Sequence, residues 1–355
     1  MNINNLSLDE KIGQRFIFGV NNENIDVIIE LVKKCFIGGV ILYKKNYQSY
    51  NDMINVIKNI KLANKDNKIP LFIAIDEEGG RVNRLPSEIN NLKNIYDVSK
   101  YDVNLVSDYA NIIGKTLSGI GINMNLAPVL DIDNGSKAKS LYKRCFYGDE
   151  TCIEEATNKY IEGINNMVIP VIKHYPGHGL TRRDTHFTIP YIFNLQEYEK
   201  HVEPFNRAIK NGIDALMVSH LVIPKLTGLL PASISNKFLS NCLRPNYSGL
   251  IITDEINMLK RNPIYYFMYS NRALKADSDI LLVKIKKIDD GYRLINKYKQ
   301  ILGKNEKYIR RLNVSVNRII TIKNKYKIID STNNIGIDIE KINEEISKIN
   351  SVVDN

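Results

Sequence analysis

Short apolar runs alternate along the chain with longer segments that carry apolar residues at three- and four-residue spacing. The short runs have the length of buried strands, and the longer segments have the periodicity of amphipathic helices. There are eight runs, at residues 15–20, 39–43, 71–75, 122–126, 168–172, 215–218, 250–252 and 280–283. The clearest helical segments are 24–35, 50–63, 104–118, 153–166 and 195–209. This alternation predicts an α/β protein with parallel strands joined by helices.

The number of runs favours a closed (β/α)8 barrel of the TIM type. An open, doubly wound sheet is the alternative, but such a sheet is expected to carry a glycine-rich phosphate-binding turn after its first strand. The residues at that point are Phe18-Gly19-Val20-Asn21-Asn22, which do not form that motif. We therefore expect the barrel.

Polar residues follow five of the eight runs at the points where the predicted strands end. The clusters are residues 76–84, Asn125 with Asp131, Lys173 with His174, Ser219 with His220, and residues 253–255. A lone Asp at such a junction more often caps the next helix. Five clusters in phase with the strands instead favour an active site at the carboxyl end of the barrel, where barrels of this type carry theirs.

The loop that follows the fifth run is the richest in reactive side chains. Residues 171–186 contain three of the five histidines, and Pro176, Gly177 and Gly179 interrupt regular structure there. Loops of this kind on a rigid scaffold carry chemistry more often than packing. We expect this loop to form part of the site.

Composition and charge narrow the possible partners. The chain has 355 residues and a formal charge of +10, but the basic residues between Lys284 and Lys327 are interleaved with apolar ones, as on the exposed faces of helices. No nucleic-acid motif accompanies the charge, so no nucleic-acid partner is expected. The polar residues 1–10 contain no signal-peptide core, and no run reaches the length of a membrane helix. We expect a cytoplasmic protein with reduced cysteines, no membrane partner, and a monomeric or homodimeric state.

Several segments resemble signature segments of glycoside hydrolase family 3. They are residues 76–84, the Lys-His-x-Pro-Gly-His-Gly core at 173–179, the Asp-Thr-His of 184–186, and the Ile-Thr-Asp of 252–254, with further similarity at 6–14 and 314–320. Within that family they look like the bacterial β-N-acetylglucosaminidases that trim cell-wall fragments. The resemblance implies a (β/α)8-type barrel, in agreement with the strand count.

The resemblance also implies catalytic roles for three residues. Asp254 matches the family nucleophile, which forms a covalent glycosyl-enzyme in a retaining mechanism. His186 matches an unusual histidine acid/base, and Asp184 would fix its tautomer and stabilise its protonated form. The alternatives are that Asp254 caps the following helix and that His186 is an exposed loop histidine.

Binding residues follow from the same resemblance. Asp76, Arg84, Lys173 and His174 match the positions that hold the non-reducing sugar, and Arg144 looks like a further family arginine. We expect Glu78 to brace the turn at Gly79 and Gly80. His178 and His220 either line the pocket or satisfy local hydrogen bonds. Neither a metal ion nor a cofactor is expected, because the histidines lie in different loops without a clear set of ligands.

The expected organisation is one catalytic barrel at residues 1–329 followed by a helical tail at 330–355. The expected function is retaining exo-β-N-acetylhexosaminidase activity on peptidoglycan-derived or related glycans, so a small GlcNAc-containing saccharide or muropeptide is the expected partner. Two alternatives remain: a family 3 β-glucosidase or β-xylosidase, and a degenerate barrel that binds sugar without turnover.

Overall fold

The computed structural model describes residues 3–20, 24–133, 141–181, 189–259, 269, 271–273, 275–303 and 305–354. Its central element is a ring of parallel strands. The strands are β1 (Phe16–Val20), β2 (Gly39–Leu42), β3 (Phe72–Ile75), β4 (Met124–Asn125), β5 (Ile169–Tyr175), β6 (Ala215–Val218), β7 (Leu250–Thr253) and β8 (Leu281–Ile285).

The strands lie in the order β7-β6-β5-β4-β3-β2-β1-β8, and all the pairings are parallel. The ring closes between β7 and β8 through a parallel bridge that joins Ile252 to Ile280. The eight predicted runs are therefore the eight strands of a barrel, which confirms the predicted (β/α)8 fold and excludes the open sheet.

Helices cover the outside of the ring. The α-helices whose whole length is described are α1 (Leu8–Gly13), α2 (Asp26–Cys35), α3 (Tyr50–Ala63), α4 (Ile95–Tyr101), α5 (Leu105–Gly119), α6 (Glu150–Ile164), α7 (Leu195–Lys210), α8 (Pro224–Thr227), α9 (Asn236–Phe238), α10 (Ile288–Leu302), α11 (Glu306–Lys325) and α12 (Ile339–Asp354). Several begin at side-chain caps, including Ser49, Asp149, Asn194 and Asn305. These caps satisfy the first N–H groups of each helix and fix where it begins.

Alternate residues of each strand point into the ring, and the residues between them face the helices. The inner cluster includes Ile17, Phe72, Met124 and Ile252. The outer cluster joins the other strand faces to the apolar sides of the helices. This is why the strands are buried on both faces and appear in the sequence as unbroken apolar runs.

The C-terminal part of α11 closes the amino end of the barrel. Ile319 and Ile322 of that helix pack on the inner cluster. Lys323 is buried with them, and its Nζ donates to Gln14 Oε1 at 2.7 Å and to the Gly38 carbonyl at 2.9 Å. With the amino end sealed, the open end of the barrel is the one where the strands finish.

Helix α12 lies against the barrel after residue 330. It buries Ile342, Ile346 and Ile349, and its Glu345 forms an ion pair with Lys115 of α5 at 3.2 Å. The division of the chain at residues 329 and 330 stays a prediction. None of the described helices combines the length and the hydrophobicity needed to cross a bilayer.

Candidate active site

A cavity of about 470 Å³ opens at the carboxyl ends of the strands. Its lining includes the predicted residues Asp76, Arg84, Arg144, Lys173, His174 and Asp254, which lie as much as 178 positions apart in the sequence. The volume is that of a typical small-molecule site. The barrel therefore brings six of the eight predicted site residues to one place.

One wall of the cavity is a buried network of two acids and two bases. Lys173 Nζ lies 2.7 Å from Asp76 Oδ1 and 2.6 Å from Glu78 Oε1. Arg144 holds Glu78 with two hydrogen bonds of 2.7 Å, from Nε and from a terminal nitrogen. Burial by itself raises the pKa of Glu78, but Arg144 and Lys173 outweigh it and hold that pKa well below its usual value. These ion pairs hold the four side chains in fixed positions.

The expectation that Glu78 braces the Gly79–Gly80 turn was wrong, and Glu77 does so instead. Glu77 accepts hydrogen bonds from the N–H groups of Arg84 at 2.7 Å, Gly79 at 3.2 Å and Leu85 at 3.3 Å. Burial raises the pKa of Glu77 to about 7, against the effect of these three donors. The two glutamates have different roles because adjacent side chains point to opposite sides of an extended chain. Glu78 therefore faces the cavity, and Glu77 faces away from it.

A second buried acid, Asp131, supports the floor of the cavity beside this wall. Its Oδ2 lies 2.7 Å from His174 Nδ1, and its Oδ1 accepts the His178 N–H at 2.5 Å. Both histidines line the cavity. Of the two interpretations left open for His178, the structure favours the one in which it lines the pocket.

Asp254 lies at the end of β7 and is about nine-tenths buried. Its Oδ1 accepts the Glu255 N–H at 2.7 Å. Burial raises its pKa, but the nearby His220 and His174 more than offset this, so the net effect is a pKa below the ordinary value. A buried carboxylate that stays ionised at the base of a cavity has the properties of a nucleophile.

His220 is close to Asp254 but does not line the cavity. Its Nδ1 lies 2.6 Å from Ser233 Oγ, and its Nε2 lies 3.0 Å from the Glu255 carbonyl. Burial lowers its pKa. His220 therefore satisfies local hydrogen bonds and supports the backbone that follows the nucleophile candidate.

The cavity lining also contains residues to which sequence reasoning assigned no role. Lys284 Nζ lies 3.2 Å from Glu255 Oε2 and 4.9 Å from the centre of the Tyr43 ring, and the Tyr43 hydroxyl donates to the same carboxylate oxygen at 3.4 Å. All three residues line the cavity. Glu255 belongs to the polar cluster at 253–255, but it was given no role. Tyr43 and Lys284 lie at and just after the ends of two further predicted strands, so the rule that found the five clusters could have found them as well.

Asp184 and His186 lie outside the described residues. The structure describes the chain as far as Thr181 and again from residue 189, where Ile192 donates its N–H to the Val222 carbonyl at 2.8 Å. The acid/base assignment stays a prediction.

Comparison with known proteins gives consistent matches along the chain. The sequence model of the glycosyl hydrolase family 3 N-terminal domain matches residues 7–322. A β-hexosaminidase of Nitrosospira multiformis is 28% identical over 264 residues, which are 70% of this chain and 73% of the relative. A β-hexosaminidase of Photobacterium profundum is 30% identical over 255 residues, again covering 70% and 73%.

A solved structure shows the same similarity. The glycoside hydrolase family 3 β-N-acetylglucosaminidase from Paenibacillus sp. str. FPU-7 superposes with a TM-score of 0.85 at 26% sequence identity. The match covers 97% of this chain and 68% of that one.

Proposed function

The chain belongs to glycoside hydrolase family 3 and is a glycoside hydrolase, and on this premise we propose that it is a retaining exo-β-N-acetylhexosaminidase that removes terminal GlcNAc. The observation that carries the proposal is the ionised, buried Asp254 at the base of a cavity whose wall holds fixed donors and acceptors. The names of the relatives support the amino sugar, since they are β-hexosaminidases and a β-N-acetylglucosaminidase.

In the proposed mechanism, Asp254 attacks the anomeric carbon and forms a covalent glycosyl ester while the leaving oxygen takes a proton. Water then cleaves the ester, so the configuration at the anomeric carbon is retained. The end of a strand suits this role because the carboxylate has to be held to within a fraction of an ångström. The hydrogen bond from the Glu255 N–H to Asp254 provides part of that restraint.

We assign the proton transfers to His186, with Asp184 as the residue that orients it. A histidine titrates near neutral pH and can give a proton to the leaving group and later take one from water. The support for this assignment is the Asp-x-His spacing in the loop after β5.

Asp76, Arg84, Arg144, Lys173 and His174 are proposed to hold the hydroxyl groups of the terminal sugar. Asp76 accepts hydrogen bonds and Lys173 donates them, so the pair can bind hydroxyls that do both. Because Lys173 is held by ion pairs to both Asp76 and Glu78, Lys173 and Asp76 need little reorganisation when the sugar binds.

The proposed substrates are GlcNAc-containing saccharides or muropeptides derived from peptidoglycan, cleaved in the cytoplasm by a monomer or a homodimer. This follows from the family subgroup that residues 173–179 and 184–186 resemble.

Two aryl glycosides test the activity. We expect release of the aryl group from the β-N-acetylglucosaminide, with much slower release from the matching β-glucoside. The reverse preference would indicate a β-glucosidase, and measurable binding of GlcNAc without any release would indicate a barrel that has lost its activity.

The acid/base assignment has its own experiment. His186→Ala should retain the first step on a substrate with a good leaving group, which needs little protonation, and should stall in the second step, which needs a base. Azide needs no base and should restore turnover as a glycosyl azide. A His186→Ala protein that is as inactive as Asp254→Ala with azide present would overturn this assignment.

A further inference from the structure

Asp131 is a buried acid whose role the proposed chemistry does not yet include. Its side chain is fully buried, six residues beyond the end of β4. Every hydrogen bond that the described residues make to its carboxylate comes from the segment at the end of β5. The partner atoms are His174 Nδ1 at 2.7 Å, the His174 N–H at 3.3 Å and the His178 N–H at 2.5 Å.

These contacts fix which nitrogen of His174 carries a proton. An ionised carboxylate can only accept hydrogen bonds. Burial by itself raises the pKa of Asp131, but the His174 ring and then His178 outweigh it, so that pKa lies below the usual value and the group is ionised. The proton is therefore on Nδ1 of His174, between the ring and Asp131.

The other ring nitrogen of His174 then determines what the cavity offers to a sugar. In the tautomer whose single proton is on Nδ1, Nε2 is the ring nitrogen that can accept a hydrogen bond. The preceding residue, Lys173, has an ammonium group that can only donate. Because both line the cavity, they present a donor beside an acceptor, which matches neighbouring sugar hydroxyls. The opposite tautomer would present two donors and lose the hydrogen bond that a hydroxyl gives.

We propose that Asp131 is a positioning residue of the glycosidase, which holds His174 in the Nδ1–H tautomer so that Nε2 accepts a hydrogen bond from a sugar hydroxyl. Asp131 and His174 form a histidine–aspartate pair for substrate recognition, separate from the pair assigned to proton transfer at 184 and 186. The inference rests on the proposed function, because it assigns the sugar as the partner of Nε2.

The tautomer can be measured without any turnover. In a ¹⁵N-labelled protein at mildly alkaline pH, we expect the His174 signals to show a protonated Nδ1 and an unprotonated Nε2. The signals are assigned from their loss in His174→Gln. A neutral ring with its proton on Nε2 would overturn the proposal, whether or not the protein hydrolyses any substrate.

A double-mutant cycle tests the effect on catalysis. Asp131→Asn should lower kcat/KM for the aryl N-acetylglucosaminide by roughly 10- to 100-fold, which is within the range expected when a polar group in a buried site is left without its hydrogen-bond partner. In a His174→Ala background the same substitution should change kcat/KM by less than about 3-fold, because Asp131 acts through that ring. Equal losses in both backgrounds would show that Asp131 only stabilises the fold, and the proposal would fail.

Asp279→Asn is the matched control. Asp279 is also fully buried and accepts a backbone N–H, from Ile251 at 2.9 Å, but it lies at the amino end of the barrel. This control should lower Tm and leave both the His174 tautomer and kcat/KM unchanged. If it altered the tautomer as much as Asp131→Asn does, the effect would be a general result of weakening the barrel and would count against the proposal.

Discussion

The two ends of the barrel both bury charged side chains, but they use them differently. At the carboxyl end, Asp76, Glu78, Arg144 and Lys173 form ion pairs beside an open cavity of about 470 Å³. At the amino end, Asp279 pairs with Arg244 and Arg318, and Arg15 donates to the Asp279 carbonyl at 2.6 Å and to the Ser278 carbonyl at 2.7 Å.

The amino-end network serves the closure of the ring. Strands β7 and β8 are joined through a bridge, Ile252 to Ile280, and Asp279 crosses the same seam by accepting the Ile251 N–H at 2.9 Å. These charged groups bind strand backbone and one another. A buried ion pair is therefore not by itself a sign of function, and what marks the carboxyl end is the cavity that its charged groups face.

The largest expected effect is at the carboxyl end. Asp254→Ala should lower kcat by roughly 10⁴-fold or more, because no glycosyl-enzyme can form, and this is the scale of loss when a catalytic nucleophile or its partner is removed. Tm should change little. The measurement is turnover of an activated aryl N-acetylglucosaminide together with thermal unfolding. Near-normal turnover of Asp254→Ala would contradict the view that the carboxyl end carries the catalysis and the amino end only the stability.

Asp279→Ala should show the opposite pattern. It leaves Arg244 and Arg318 without their shared partner, and breaking a buried ion pair costs roughly 3–5 kcal/mol of unfolding free energy. We expect a clearly lower Tm and an unchanged kcat/KM for the folded protein. Loss of activity in protein that is still folded would contradict a purely structural role for the amino end.

The smallest effect concerns Lys323 and pH. Burial lowers its pKa to about 7 from the ordinary 10.5. Between these values the unfolded chain binds more protons than the folded one, so this group makes the protein more stable as the pH rises. Relative to Lys323→Met, the wild-type Tm should rise by a few degrees as the pH is raised above about 7. Parallel Tm curves for the two proteins would show that Lys323 keeps its proton when folded.

The fold could be predicted from the sequence because strands buried on both faces appear as continuous apolar runs. The run at 122–126 shows the limit of this rule, since the strand there is only Met124–Asn125. Asn125 Oδ1 accepts the Glu77 N–H at 3.0 Å, and Asn125 Nδ2 donates to the Glu77 carbonyl at 2.8 Å. These two side-chain hydrogen bonds join β4 to the loop that follows β3, where a longer strand would use backbone hydrogen bonds. Hydrophobicity carries no information about such a bond.

The site was less fully predictable because its contacts join distant segments. The resemblance supplied Asp76, Lys173 and Asp254 as candidates, but it gave no indication that Lys173 lies between two carboxylates. The exchange of roles between Glu77 and Glu78 depended on which way two adjacent side chains point, and the sequence records only that both are glutamates.

Trapping of the glycosyl-enzyme tests the central claim most directly. A 5-fluoro derivative of an activated β-N-acetylglucosaminide should react once and leave the fluorosugar on the protein, because fluorine slows both oxocarbenium-like steps while the activated leaving group keeps the first step faster than the second. After proteolysis, mass spectrometry should place the sugar on the Asp254 carboxylate, and Asp254→Ala should not be labelled. A sugar found on Glu255 or Glu78, or normal turnover with no labelled carboxylate, would contradict the account.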